Sequence, residues 1–299
     1  MEAQKSISSY DYLLEKRLKE INPELHTLYS NSVFAMDRLL ENYKAIFPFF
    51  TNHTFGHSEQ VINYCNLLGG YDNIYKLNAD EIYILLMGAS LHDIGMGISV
   101  HDFEEFKYKL KGYAAYEQNH IVVTVKEVCR SFHQELSAEF IKKYKNLFEI
   151  PSDGHCYCIC QIARGHRKMD LLDKNEFNPE YKLENGNTVR LPYLAALVKL
   201  ADELDITADR NLCFDYTKDD SRWSKTQKMC YKCHGAIKNI TGTPPATLTV
   251  HYATSEPEVI KEIKSIDEKL HKVFKEYISV IESQSDFEQN IEKIEFVKI

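Results

Sequence analysis

The chain has 299 residues, 44% apolar and 27% charged, with a formal net charge of −8. That is the composition of an ordinary soluble globular protein with one large domain or two small ones, and its acidity argues against general affinity for nucleic acid. The longest nearly apolar run, residues 82–91, is far too short for a membrane span, and residues 1–8 lack the apolar core of a signal peptide, so a cytoplasmic location is the expectation. Eight cysteines, at 65, 129, 156, 158, 160, 213, 230 and 233, are then expected to be reduced thiols rather than a disulfide frame.

The first 46 residues carry leucines and isoleucines at three- and four-residue steps without a glycine, which predicts helix up to the break at Pro48. His57 opens a second helical pattern (Val61, Ile62, Cys65, Leu68) that ends at Gly69-Gly70. Asn78-Ala-Asp-Glu81 has the form of a capping box and starts the apolar helix that reaches His92, with Gly95 fitting a stop just beyond. Residues 101–112 fit a lid-like loop or a short helix. Helices are expected near 117–130, 134–148 and 153–166, and the basic cluster Lys142-Lys143-Tyr144-Lys145 reads as a solvated helix face. Residues 168–190, rich in Asn, Asp, Glu and Gly, read as an exposed insertion. Pro192 marks the start of a further helix with Leu194, Leu197, Val198, Ala201 and Leu204 on one face. Beyond Arg210, an alternating segment (236–252) bends around Gly-Thr-Pro-Pro, an amphipathic helix covers roughly 258–282, and 290–299 alternates again as a last strand. The expected architecture is mainly α: a helical domain over 1–210 and a small α+β appendage over 211–299.

The chemistry begins at Leu91-His-Asp-Ile-Gly95. An adjacent imidazole and carboxylate at the end of a buried apolar helix are costly unless something pairs with them, and a divalent metal takes nitrogen and oxygen ligands together. Similar positions recur at His57, His133, His166 and Asp202, separated by 35, 40, 33 and 36 residues, each near an end of a predicted helix. The pattern predicts a metal centre assembled from several helices.

The order His57…His92-Asp93…Asp202, in the contexts Phe55-Gly-His57-Ser-Glu-Gln-Val, Leu91-His-Asp-Ile-Gly95 and Leu200-Ala-Asp202-Glu-Leu-Asp205, resembles the HD-domain superfamily of metal-dependent phosphohydrolases over about 50–212. The resemblance implies a helical bundle in which His57, His92, Asp93 and Asp202 bind a metal. His133-Gln-Glu-Leu-Ser and Gly165-His166-Arg167 resemble the additional histidine segments of HD-GYP-type domains, which adds His133 and His166 and allows two ions with Asp93 bridging them. Such a centre would hold a bridging hydroxide and clamp a phosphoryl oxygen. One or two divalent ions are expected (Mn, Fe, Mg, Ni or Zn), with a nucleotide or another small phosphoester as substrate. The Gly-Tyr-Pro signature is missing, since Arg-Lys-Met-Asp follows His166, which speaks against cyclic-dinucleotide hydrolysis. The loop from His92 to His101 partly resembles that of deoxynucleotide triphosphohydrolases, with His101 on an extra histidine and Met96 in place of another.

Orienting phosphate also needs cations. Arg164, Arg167, Lys168 and Arg210 are the candidates for substrate binding, and Asp93, Lys199 and His101 (as acid for the leaving group) for catalysis. A second metal site is conceivable at Cys230-Tyr-Lys-Cys233-His234, half of a zinc knuckle, completed from His155-Cys-Tyr-Cys-Ile-Cys160, although the latter spacing also suits a buried helix. Three other functions share the same ligands: an HD-type di-iron oxygenase, a single-strand nuclease, and a regulatory module that holds a nucleotide without turnover. Residues 211–299 are the candidate surface for a protein partner or for homo-oligomer formation.

Overall fold

The computed structural model describes residues 12–211, 221, 223–242 and 246–299. Cys213, most of the Gly-Thr-Pro-Pro turn and the first eleven residues of the predicted N-terminal helix lie outside them. Helix α1 (Leu13–Ile21) and helix α2 (Pro23–Leu40) are divided by Asn22, whose backbone N–H closes α1 on Leu18 O (2.8 Å) while its side chain accepts from Leu25 N (3.0 Å). Proline at the first position of α2 needs no N–H there. A short α3 (Tyr43–Ile46) precedes Pro48.

Helix α4 (Phe55–Lys76) starts two residues before His57 and does not stop at the glycine pair. It breaks at Gly70 (φ 63°) and resumes, because the left-handed residue also admits Asn290: a Cβ on Gly70 would lie 1.9 Å from the Asn290 amide nitrogen. Helix α5 (Ala79–Leu91) is capped as expected, Asn78 Oδ1 accepting from Glu81 N and Glu81 Oε2 from Asn78 N, both at 3.0 Å. Every residue from Asp80 to Leu91 is buried, as a helix that is largely apolar all round from Ile82 onward requires. A 3-10 turn, Ile94–Gly97, follows.

Residues 100–106 form a short helix, α6 (Val100–Phe106), followed by α7 (Tyr113–Gln118). The two helices predicted around His133 are one, α8 (Val125–Lys143). Thr124 and Glu127 form the capping box that starts it, and no glycine or proline interrupts it, so His133 sits mid-helix. Helix α9 (Asp153–Gly165) leads into the polar stretch expected to be an exposed insertion. That stretch is fastened instead: Leu171, Phe177, Leu183 and Val189 are buried, and strands β1 (Tyr181–Lys182) and β2 (Thr188–Val189) pair antiparallel. Helix α10 (Leu191–Leu204) carries Pro192 in its first turn.

Helices α4, α5, α9 and α10 pack in a closed ring, and α8 lies across α9 and the 3-10 turn. The C-terminal part contains α11 (Lys225–Ala236), β3 (Ile237–Thr241), β4 (Ala246–Tyr252), α12 (Pro257–Gln284) and β5 (Ile291–Lys298). Strand β4 pairs antiparallel with β3 and parallel with β5. Helix α12 lies along α10, and one continuous core runs from Leu14 and Leu86 through Leu200 to Leu248, Tyr277 and Ile294. The fold is mainly α with a small α+β C-terminal part. No single helix among the described residues is long and apolar enough to cross a membrane.

Two buried carboxylates fix where α5 begins. Glu81 accepts from Arg190 Nε (2.8 Å) and Nη2 (2.7 Å). Asp80 accepts from His155 Nε2 (2.8 Å) on α9 and from Asn187 Nδ2 (2.6 Å) in the β1–β2 turn. The His155 hydrogen bond, with those from Asn187 and Asn185, holds the Asp80 carboxyl below the usual carboxylate range. A depressed folded pKa stabilises above the unfolded value, about 3.9, and the gain is lost as pH falls through the folded value. We predict that Asp80→Asn lowers unfolding free energy above pH ~4, and that the difference from wild type shrinks towards zero in more acidic urea titrations. A difference that does not vary with pH would assign Asp80 no charged role.

Candidate metal centre

Five helices each deliver part of one polar cluster to the interior of the ring. His57 comes from the first turn of α4, His92 and Asp93 from the end of α5, His133 from the middle of α8, His166 from the C-cap of α9 and Asp202 from the last turn of α10. All but Asp202 are buried. Gly95 contributes by having no side chain. Its backbone is not left-handed, so it is no helix cap; a Cβ there would lie 2.3 Å from His133 O, and its absence lets the turn after Asp93 sit against α8.

The side chains form two groups, His57–His92–Asp202 and Asp93–His133–His166, each with donor atoms within 4.8 Å of one another. The two carboxylate oxygens of Asp93 face different groups. Oδ2 is 3.4 Å from His92 Nε2 and 3.6 Å from His57 Nε2, whereas Oδ1 is 3.6 Å from both His133 Nε2 and His166 Nε2. Asp202 Oδ1 lies 3.3 Å from His57 Nε2.

Each imidazole is oriented from behind. The Nδ1 atoms of His92, His133 and His166 face the carbonyls three residues earlier, Ala89 O (2.8 Å), Arg130 O (3.2 Å) and Ala163 O (2.5 Å). Nδ1 of His57 is 2.6 Å from Asp205 Oδ2. A carbonyl only accepts, so the proton of each neutral ring sits on Nδ1 and the Nε2 lone pair points inward. His57 and His92 then bring their Nε2 atoms to 3.2 Å, and His133 and His166 to 3.1 Å. Facing lone pairs at that separation repel unless an electrophile lies among them. Nitrogen and carboxylate oxygen around such a point is a donor set for a divalent ion. The residues fit a metal on these grounds.

The electrostatics agree. Burial and then the neighbouring Arg167 and Arg130 push His133 down to about 4, and burial and the adjacent His92 hold His166 well below its ordinary value, so both are neutral ligands at neutral pH. Burial resists ionisation of Asp93 and Asp202, but the surrounding histidines outweigh it and hold both well below the carboxylate range. His57 differs. Burial and Arg210 lower it, but Asp202, Asp205 and Asp93 outweigh them and raise it to about 10.

A cavity of about 680 Å³ opens over the cluster, with Asp93, His133 and Asp202 in its wall. Of the predicted cations, Arg167 and Arg210 line it. The others do not. Lys199 Nζ donates to Glu276 (2.9 Å) and Met169 O (3.2 Å), tying α10 to α12. Arg164 is held by Glu135 and Glu176 (3.1 and 2.7 Å), and Lys168 lines a separate cavity with Lys111 and Tyr116. His101 is exposed on α6 and is not among the residues lining the cavity. In the other direction, three residues escaped the sequence reading. His53 is buried with Nε2 3.7 Å from Asp93 Oδ2, Arg130 lines the cavity, and Asp205 orients His57. Their spacing was the available signal: His53 and Arg130 precede His57 and His133 by four and three residues.

Cys230, Cys233 and His234 also line the cavity, from α11, while Cys156, Cys158 and Cys160 are buried on α9 and His155 is taken by Asp80. Among the described residues these do not form a second metal-holding group.

A family model named HD-CE matches residues 47–279. The chain belongs to the HD-CE family. The match starts just after α3 and ends within α12, so it takes in all five helices of the cluster and the parts of α11 and α12 that wall the cavity. No curated protein and no solved structure matches the chain.

Asp205 gives a test of ligand orientation. Asparagine there would present an N–H to His57 Nδ1 and turn the inward Nε2 into a donor, as an Asp-to-Asn change does in a catalytic triad. We predict that Asp205→Asn weakens binding of added Mn²⁺ by about 10–100-fold in a chelator competition, the range for residues that orient ligands. An unchanged affinity would remove Asp205 from the centre.

Proposed function

We propose that this HD-CE protein is a metal-dependent phosphohydrolase with two ions, acting on a nucleotide or another small phosphoester. The observation that carries the reading is Asp93, whose Oδ2 serves the group with His57 and His92 and whose Oδ1 serves the group with His133 and His166. One carboxylate shared between two ligand groups is the arrangement a dinuclear centre needs. Bound there, the ions would polarise a phosphoryl oxygen and lower the pKa of a water.

The protein's own part is to hold the ligands in one tautomer and to bind the phosphate. Arg130 suits the second task best. It reaches solvent in the cavity wall, its guanidinium lies 4.6 Å over the Phe50 ring, and it has no carboxylate partner among the described residues. Arg210 is committed to Asp205 O (3.0 Å) and Asn52 O (2.9 Å), and Arg167 is within 4.0 Å of Glu203. An unpaired guanidinium beside the acidic ligand cluster favours a compact anion, because five lining cations face four lining carboxylates: Arg130, Arg167, Arg210, Lys225 and Lys269 against Asp93, Asp202, Glu203 and Glu262.

The decisive experiment is metal analysis of the purified protein followed by a phosphate-release screen over nucleotides and small phosphoesters with Mn, Mg, Co and Ni. We expect phosphate release without dioxygen, and a fall in metal content from about two towards one per chain in His133→Ala/His166→Ala, since these supply the second ion. Strict dependence of product on dioxygen would make the protein an oxygenase. Degradation of single-stranded nucleic acid with small phosphoesters untouched would make it a nuclease. Arg130→Ala should raise KM about tenfold or more at unchanged metal content, the value of a charged hydrogen bond.

A further inference from the structure

Beside the large cavity lies a second of about 110 Å³, bounded by Phe49, Phe50, Trp223, Tyr231 and Asn211. The two adjoin at Phe50, Thr51, Arg130, Arg210, Thr226 and Cys230, which line both. The slot is lined by aromatic side chains that pack against one another. Phe49 and Trp223 have centroids 5.3 Å apart and tilted by 43°, and Tyr231 meets Trp223 edge-on at 5.7 Å. At its rim, Asn211 donates from Nδ2 to Tyr231 O (2.7 Å), which fixes the amide the other way round. Asn211 Oδ1 is thereby buried with no donor among the described residues, an acceptor whose desolvation is unrepaid.

These features specify one kind of occupant. Aromatic walls select a flat ring, and a buried lone acceptor selects a ring with an N–H on its edge. Room for roughly three or four waters excludes an acyl chain or a folded peptide. The Arg130 guanidinium at the junction places negative charge between the slot and the metal cluster. A nucleobase joined through a sugar to a phosphate has these parts in this order. We propose that the slot receives the base of a nucleotide whose phosphate lies beside Arg130 over Asp93. This rests on the phosphohydrolase reading for what happens at the phosphate, but not for binding of the base.

Trp223 is the chain's single tryptophan and stands in the slot wall, so its emission reports on occupancy. The test titrates metal-free full-length protein with adenosine, guanosine, cytidine and uridine. Ribose 5-phosphate and inorganic phosphate serve as controls. Trp223 emission excited at the red edge is read in parallel with isothermal titration calorimetry. At least one nucleoside should bind saturably and perturb the emission, while ribose 5-phosphate leaves it unchanged. Tyr231→Leu and Asn211→Ala should each weaken that nucleoside by about tenfold, within the range for loss of one base–aromatic stack. If Tyr231→Leu does not fold, Asn211→Ala carries the comparison. The proposal is overturned if no nucleoside binds, or if binding is indifferent to both substitutions. Nucleoside binding by the wild-type protein, with no phosphate released from any substrate once Mn, Mg, Co or Ni is added, would sink the hydrolase reading and leave the base slot standing.

Discussion

Buried charge around Asp93 is the constraint on which the rest of this structure depends. Two aspartates and four histidines converge inside a helical ring. An isolated buried carboxylate is costly to desolvate, and the inward Nε2 lone pairs add repulsion to that cost. A cation at the cluster relieves both. Around it, Asp205 is wedged between His57 Nδ1 (2.6 Å) and Arg210 Nε (3.4 Å), so even the carboxylate that orients a ligand is neutralised from behind. This layering keeps six ligands poised without letting them collapse onto one another.

Helix geometry explains why the ligands sit where they do. The last carbonyls of a helix have no partner within it, so His92 and His166, both at C-caps, find acceptors for Nδ1 three residues back at no cost to the helix. His57 opens α4 and Asp202 closes α10, which places the helix ends, rather than their middles, at the centre of the ring. His133 is the exception, and Gly95 shows how it is accommodated. A mid-helix ligand reaches Asp93 only if the segment after Asp93 comes into backbone contact with α8, which a side chain at position 95 would prevent.

This anatomy also separates what was legible in the sequence from what was not. The histidine and aspartate positions could be read because each lies in a distinctive flanking context and because mixed nitrogen and oxygen donors on apolar helices have few other uses. The helical ring and the β-containing tail followed from periodicity and alternation. The cations could not be ranked from proximity in sequence. Lys199 is three residues from Asp202 and Arg164 two from His166, but each has an acidic partner from far along the chain, Glu276 for one and Glu135 with Glu176 for the other. Such pairings depend on tertiary placement that no local pattern encodes. Arg130 has no ion-pair partner among the described residues, an equally non-local fact. The polar stretch 168–190 misled for a related reason: four scattered apolar side chains suffice to fasten a segment whose overall composition reads as solvent-exposed.

The C-terminal α+β part is where architecture and chemistry meet. Its residues Met229, Cys230 and Cys233 on α11 and Glu262, Ile266 and Lys269 on α12 form one side of the cavity whose other side is the ligand cluster. Lys199 and Lys269 bind acids across the α10–α12 contact in opposite directions, to Glu276 and to Glu203, which fixes α12 against the helix that carries Asp202. The His/Asp cluster, at the ends of four helices and the middle of α8, would otherwise open onto solvent on that side. Walling it with elements of the C-terminal part divides the work within one core: the ring holds the ligand residues and the α11–α12 wall shapes the pocket above them. That wall sets the size and polarity of what reaches the ligands.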